Sequence, residues 1–158
     1  MRTLEERRAA LKRRGALPEL DRRREATQAT ADRFKGKTLD WKNGLHCVRM
    51  LHSHLREMGW RSPKLPTLPR VRSALAARQA LKARGWDSVT EMLDSLLEPI
   101  PAAKMRLGDV AVTPGQEGLD CVMINLGPRT MMGFHPETGE VVAYATDYSD
   151  LTRAWRVR

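Results

Sequence analysis

Helical patterning followed by strand patterning predicts an α+β fold, with N-terminal helices packed on a small antiparallel sheet formed by the C-terminal third. Up to Leu97, apolar residues recur at helical spacing in runs divided by glycine and proline. From Ile100 onward the runs shorten, alternate and are separated by the turn-rich pieces PGQEG, GPR and HPETG. Size agrees: 158 residues, 41% hydrophobic and 30% charged, suffice for one domain with its own core and are too apolar for a disordered chain.

The first helix is expected over Arg2–Arg14, where Leu4 and Leu11 lie among charges, and it ends near Gly15. It has too little apolar surface to fold alone. A second starts near Pro18, which suits a first helical turn, and runs through ELDRRREATQATADRF with Leu20, Ala26, Ala29 and Phe34 as its apolar members. Gly44 closes the following turn. The run CVRMLHSHLREMG then sets Cys47, Met50, Leu51, Leu55 and Met58 at helical spacing, so this is the central buried helix. Three prolines in RSPKLPTLPR predict an extended loop. SALAARQALKARG reads as a helix with Leu75, Ala76 and Leu81 inward, stopped by Gly85, and SVTEMLDSLL as another, capped by Ser88 with Glu91 at capping-box spacing. GDVAVT, LDCVMINL, TMMGF, EVVAYAT and TRAWRV read as a meander of strands. The last is read as an edge strand, with Trp155 inward and Arg153 and Arg156 outward to discourage further pairing. Trp41, Trp60, Trp86 and Trp155 are spread along the chain and suit core packing or an assembly interface.

Charge divides the chain. Residues 1–37 hold 12 Lys or Arg against 6 Asp or Glu, and so carry +6 of the net +9. They are read as a basic helical arm before a body at 38–158. Arg2, Arg7, Arg8, Arg13, Arg14, Arg22, Arg23 and Arg24 are its candidate contacts to acidic surface on a protein partner. A solvated helix face explains the same charges. A basic nucleic-acid-associated protein is a further reading, but no aromatics interleave with the arginine clusters and no nucleic-acid motif is present. No apolar stretch of signal or membrane-span length follows Met1, which predicts synthesis in a cytoplasm. Cys47 and Cys121 lack metal-motif spacing and are expected as reduced thiols.

Three pieces carry a resemblance by their order and spacing: WKNGLHC leading into a helix, GDVAV opening the first strand, and VMINLG soon after. They resemble the NlpC-type cysteine peptidases of the papain-like class, in which a G-x-x-D-C segment starts the nucleophile helix and a later strand carries the base. An uncharacterised prophage-encoded family related to those peptidases is similar from about Leu20 to Val157. The resemblance includes the Ala-Leu helix before Gly85, the Gly108-Asp109 pair and the terminal AWRV strand. It implies a papain-like fold and a virion protein of the phage tail tip, near the baseplate hub, whose partners are other tail proteins and, if it is active, peptidoglycan.

Cys47 has two readings. At a helix N-terminus a thiol meets unpaired N–H groups that favour thiolate, the setting of a nucleophile. Its spacing with Met50, Leu51 and Leu55 equally makes it a small core residue. The resemblance aligns Cys121 with the base histidine and His46 with the aspartate before the nucleophile. A thiol is a poor base near neutral pH, and a one-residue shift to Asp120 would invert the strand's faces. Among the histidines, His46 diverges from Cys47, and His52 and His54 are expected at the surface or core edge. His135, in the GFHPETG turn, is the one base candidate able to return to Cys47, with a plain turn residue as the alternative. A metal site from the four histidines is disfavoured because H-x-H on a helix points its rings apart, and no phosphate-cradling glycine loop is present. The expected molecule is a degenerate cysteine peptidase, with an active peptidase or amidase as the alternative.

Overall fold

In a computed structural model, residues 2–60 and 70–158 are described. Among these residues five α-helices and a six-stranded antiparallel sheet make the α+β architecture. The helices are α1 (Leu4–Gly15), α2 (Glu19–Phe34), α3 (Cys47–Glu57), α4 (Ala74–Ala83) and α5 (Val89–Leu96). The strands are β1 (Glu98–Ile100), β2 (Val110–Thr113), β3 (Cys121–Gly127), β4 (Thr130–Phe134), β5 (Val141–Ala145) and β6 (Arg153–Arg156). None of the described helices is long and apolar enough to cross a membrane. The loop expected from the three prolines falls almost wholly outside the described residues.

Helix starts follow local chemistry. Thr3 and Glu6 form a reciprocal capping box on α1, satisfying N–H groups that a helix start leaves unpaired. Ser73 caps α4, and Ser88 caps α5 while Glu91 reaches back to the Asp87 amide. The apolar stripe of α3 is buried against the sheet: Met50, Leu51 and Leu55 pack with Ala26 and Phe34 of α2, Leu93 of α5, and Val112, Val122 and Ile124 beneath. Leu75 departs from expectation: it is exposed, and Ala74, Ala77 and Leu81 form the inner face of α4. Leu20 is exposed as well.

The strand order is β1-β6-β2-β3-β4-β5. The meander holds from β2 to β5, but β6 returns to the other side of β2, where Val110 faces Trp155. β6 is therefore an inner strand, and the edge beside it is β1, whose Pro99 already limits further pairing. Trp155 is buried and Arg153 exposed as read, but Arg156 turns in to an ion pair with Asp109. The second face of the sheet buries Ala111, Met123, Met131 and Ala154 under Ile100, Met105, Tyr144 and Leu151.

The basic arm does not separate at residue 37. α2 contributes Ala26 and Phe34 to the core and packs along α3, and α1 packs on α2 with Arg14 as its one buried side chain.

Candidate functional site

The turn before Cys47 is set by Asp40, whose carboxylate accepts from the Asn43 amide and side chain, and by Gly44 in the left-handed region at φ +74°. His46 then caps α3: its Nδ1 accepts the Arg49 N–H at 3.2 Å, and Trp41 stacks on the ring at 4.8 Å. Capping requires a neutral ring. Burial, with the nearby Arg49 guanidinium, lowers the His46 pKa to about 4. His46 is thus committed to the helix end and not to the thiol beside it.

Cys47 opens α3, is 7% exposed, and has its Sγ 3.7 Å from the Asp120 carbonyl oxygen. Cys121, the first residue of β3, packs against the same apolar cluster. The neighbouring Cys121 side chain pulls the Cys47 thiol below its ordinary range, burial opposes that pull, and the amides of Val48 and Val122 assist it. Cys47, with burial, pushes Cys121 strongly upward.

The remaining candidates are engaged elsewhere. The Asp120 carboxylate accepts from Thr90 Oγ1 at 2.8 Å and so anchors the start of α5. His135 Nδ1 accepts from the amides of Glu137 and Thr138 at 3.2 and 3.4 Å, and its ring lies edge-on to Tyr144. Among the described residues no hydrogen bond joins His135 to either cysteine. The structure brings Cys47 and Cys121 together and leaves His135 capping its own turn.

Two of the eight candidate docking arginines are interior. Arg14 is 4% exposed and binds the Glu57 carboxylate at 2.6 Å and its carbonyl at 2.8 Å. Arg23, 2% exposed, contacts Asp109 at 3.1 Å and the Leu107 carbonyl at 2.8 Å. Their charges are used within the chain, which removes both from a docking surface. Arg13 pairs with Glu25 at the surface and Arg24 lies 3.9 Å from Asp21, while Arg2, Arg7 and Arg8 are exposed and Arg22 is half-buried.

Sequence reasoning missed a second polar junction. Asp109, fully buried, accepts from the Arg106 and Val157 amides and pairs with Arg23 and Arg156. His54, expected near the surface, is also fully buried: Nε2 donates to the Gly108 carbonyl at 2.8 Å and Nδ1 meets Thr30 Oγ1 at 2.8 Å. Burial lowers its pKa to about 4. The Gly108-Asp109 pair was the available signal. Glycine is required there because φ is +85° and an added Cβ would lie 2.9 Å from Thr27 Oγ1.

A search of the curated proteins finds no match. A family described as a domain of unknown function (DUF6950) matches residues 18–157, which takes in every element from α2 to β6. The chain therefore belongs to the DUF6950 family.

Proposed function

We propose that this protein is a non-catalytic assembly subunit of a bacteriophage tail tip, in the baseplate hub region, built on a degenerate NlpC-type, papain-like cysteine-peptidase domain. One observation carries the non-catalytic part: Cys47 Sγ faces the Asp120 carbonyl at 3.7 Å while His135 caps its own turn, so among the described residues no imidazole is hydrogen-bonded to the thiol, a bond that nucleophilic cysteine chemistry needs. A helix-terminal cysteine, a strand-borne partner and a polar residue following the next strand occur in the order of such a peptidase. The tail-tip part rests on the resemblance of the WKNGLHC, GDVAV and VMINLG pieces. In this reading the protein resides in the virion, and the exposed Arg2, Arg7 and Arg8, with Arg22, face acidic surface on a neighbouring tail protein.

The test is co-purification with a tail hub protein before and after removal of residues 1–17, which takes away α1 and leaves α2 in the core. Binding is expected to fall at least tenfold on truncation and to weaken with salt. Undiminished binding by the truncated chain would contradict docking through α1.

A second reading, a peptidase or amidase acting on peptidoglycan, is favoured by the lowered Cys47 pKa at a helix N-terminus. It requires His135 to leave its turn and reach Cys47. Release of soluble muropeptides by the wild type, lost in both Cys47→Ala and His135→Ala, would establish it over the non-catalytic reading.

A further inference from the structure

β5 is an edge of the sheet, with β4 on its inner side. Its backbone groups alternate in direction. Glu140 and Thr146 turn inward, Glu140 accepting from the His135 amide and Thr146 donating to the Arg129 carbonyl, whereas Val141 turns outward to Gly36 and Lys37. The same alternation points the N–H and C=O groups of Ala143 and Ala145 outward, where no described residue pairs with them. The chain already adds a short strand here: Gly36 donates to the Val141 carbonyl, Lys37 accepts from the Val141 amide, and Thr38 bridges antiparallel to Glu140. That addition stops at Gly36, just beyond α2, so the edge is covered at Val141 and bare at Ala143 and Ala145. The opposite edge is blunted, because β1 carries Pro99 and Glu98 pairs with Arg158. Val141–Ala145 has neither proline nor charge, and both alanines are exposed. Beside them lies a groove of about 910 Å³ between α2 and the sheet, which reaches β5 at Val141 and Val142. Ala31, Leu107 and Leu126 give it apolar walls, and the Thr27 hydroxyl, on a side chain buried in the same wall, has no hydrogen-bond partner.

We propose that the β5 edge and the groove beside α2 form a docking site for an extended segment of a protein partner, which adds as a further strand with apolar side chains at alternate positions. Continuity with the addition at Gly36–Thr38 selects a strand: the bare groups recur at every second residue, the spacing at which an extended backbone offers its own donors and acceptors. A partner residue opposite Ala143 exchanges two hydrogen bonds with it, and its side chain falls on the same face as that of Ala143. This is the helix-facing side, because Val141, two residues earlier, lies in the core with Phe34, whereas Tyr144 packs on the second face. Ala143 is small, so a Val, Leu or Phe side chain there enters the groove towards Leu126 and Ala31. The intervening side chains lie on the Tyr144 face, where polar residues suffice. Backbone bonds supply affinity and the groove supplies selection. A second copy of this chain fits less well: antiparallel pairing of two β5 edges about Tyr144 sets alanine opposite alanine, too short to fill the groove. Docking at β5 is independent of the tail-tip reading.

The experiment titrates the full chain with end-blocked peptides of about eight residues, in which Val, Leu or Phe alternates with Thr or Lys, and follows amide hydrogen exchange by NMR. Expected is saturable binding by at least one peptide of the set, with exchange of the Ala143 and Ala145 amides slowed about tenfold or more and that of Val142 and Tyr144, already turned to β4, unchanged. Peptides with Thr at every apolar position are expected to bind about tenfold more weakly. Ala143→Pro removes an outward N–H, leaves the pairing with β4 in place and is expected to lower affinity about tenfold. Absence of binding below about 1 mM across the set, or binding that leaves the Ala143 and Ala145 amides unprotected, would overturn the proposal. Protection of both amides in a dimer of the chain without peptide would assign the edge to a second copy and overturn it equally. The wild-type exchange pattern decides the matter even if the proline variant does not fold.

Discussion

Beyond the midpoint of α3, the helix layer meets the sheet through His54, Gly108 and Asp109 with its arginines. At the N-terminus of the same helix it meets the sheet through two thiols. The first junction has strong donors and acceptors on every side: two guanidinium groups and two amides converge on one carboxylate, and the imidazole bridges α2 to the Gly108 carbonyl. The second has an S–H to carbonyl contact at 3.7 Å and apolar packing around the two cysteines. Buried charges are held only where their partners are complete, and removal of one partner is then severe. Thiols impose no such demand, so the Cys47 end contributes packing and leaves its chemistry free to vary. Stability and reactivity are divided between the two ends of one helix.

The largest expected effect is at the charged end. Asp109→Ala leaves Arg23 and Arg156 buried without their carboxylate and is expected to cost about 3–5 kcal/mol in denaturant unfolding. Acid provides the next. His54 is neutral in the fold and its pKa is lowered to about 4, whereas the unfolded chain titrates near 6.5, so the unfolded state binds the proton first. The contribution is complete above about pH 6.5 and is lost as pH falls towards 4, amounting to about 3 kcal/mol in urea titrations across that window. His46, lowered for the same reason, adds to the slope, and His54→Gln should flatten it. Arg14→Ala is expected to cost about 1–2 kcal/mol, because Glu57 is partly exposed and can be hydrated once its partner is gone. At the soft end, Cys47→Ala removes one buried sulfur for about 1 kcal/mol. Leu75→Gln, on the exposed face of α4, should change stability by less than about 0.5 kcal/mol. An Asp109 effect no larger than the Cys47 effect would erase the contrast between the junctions.

These differences also explain what the sequence could reveal. The start of α5 was readable from its local cap at Ser88, and five of the six strands were readable from their short runs and turns. β1 was missed because three residues including a proline carry no periodicity. The inner position of β6 depends on pairing with β1 and β2 on either side, which no local pattern encodes. Leu75 misled because α4 packs through its alanines, a small-residue face that hydrophobicity alone ranks below leucine. Arg14, Arg23 and His54 read as surface residues because their partners, Glu57, Asp109 and the Gly108 carbonyl, are 43 to 86 positions away. At the candidate site, the helix-terminal setting of Cys47 came from its own segment. That Cys121 stands near it came from the resemblance's register, and the packing of α3 on β3 agrees.

The absence of an imidazole partner for Cys47 is tested most directly by its alkylation rate with iodoacetamide at pH 7, in the folded chain and in urea. A buried thiol facing a backbone carbonyl is expected to react several-fold more slowly in the folded chain than in the unfolded one. Faster labelling in the folded chain, abolished by His135→Ala, would show a working nucleophile and base and would contradict the non-catalytic reading.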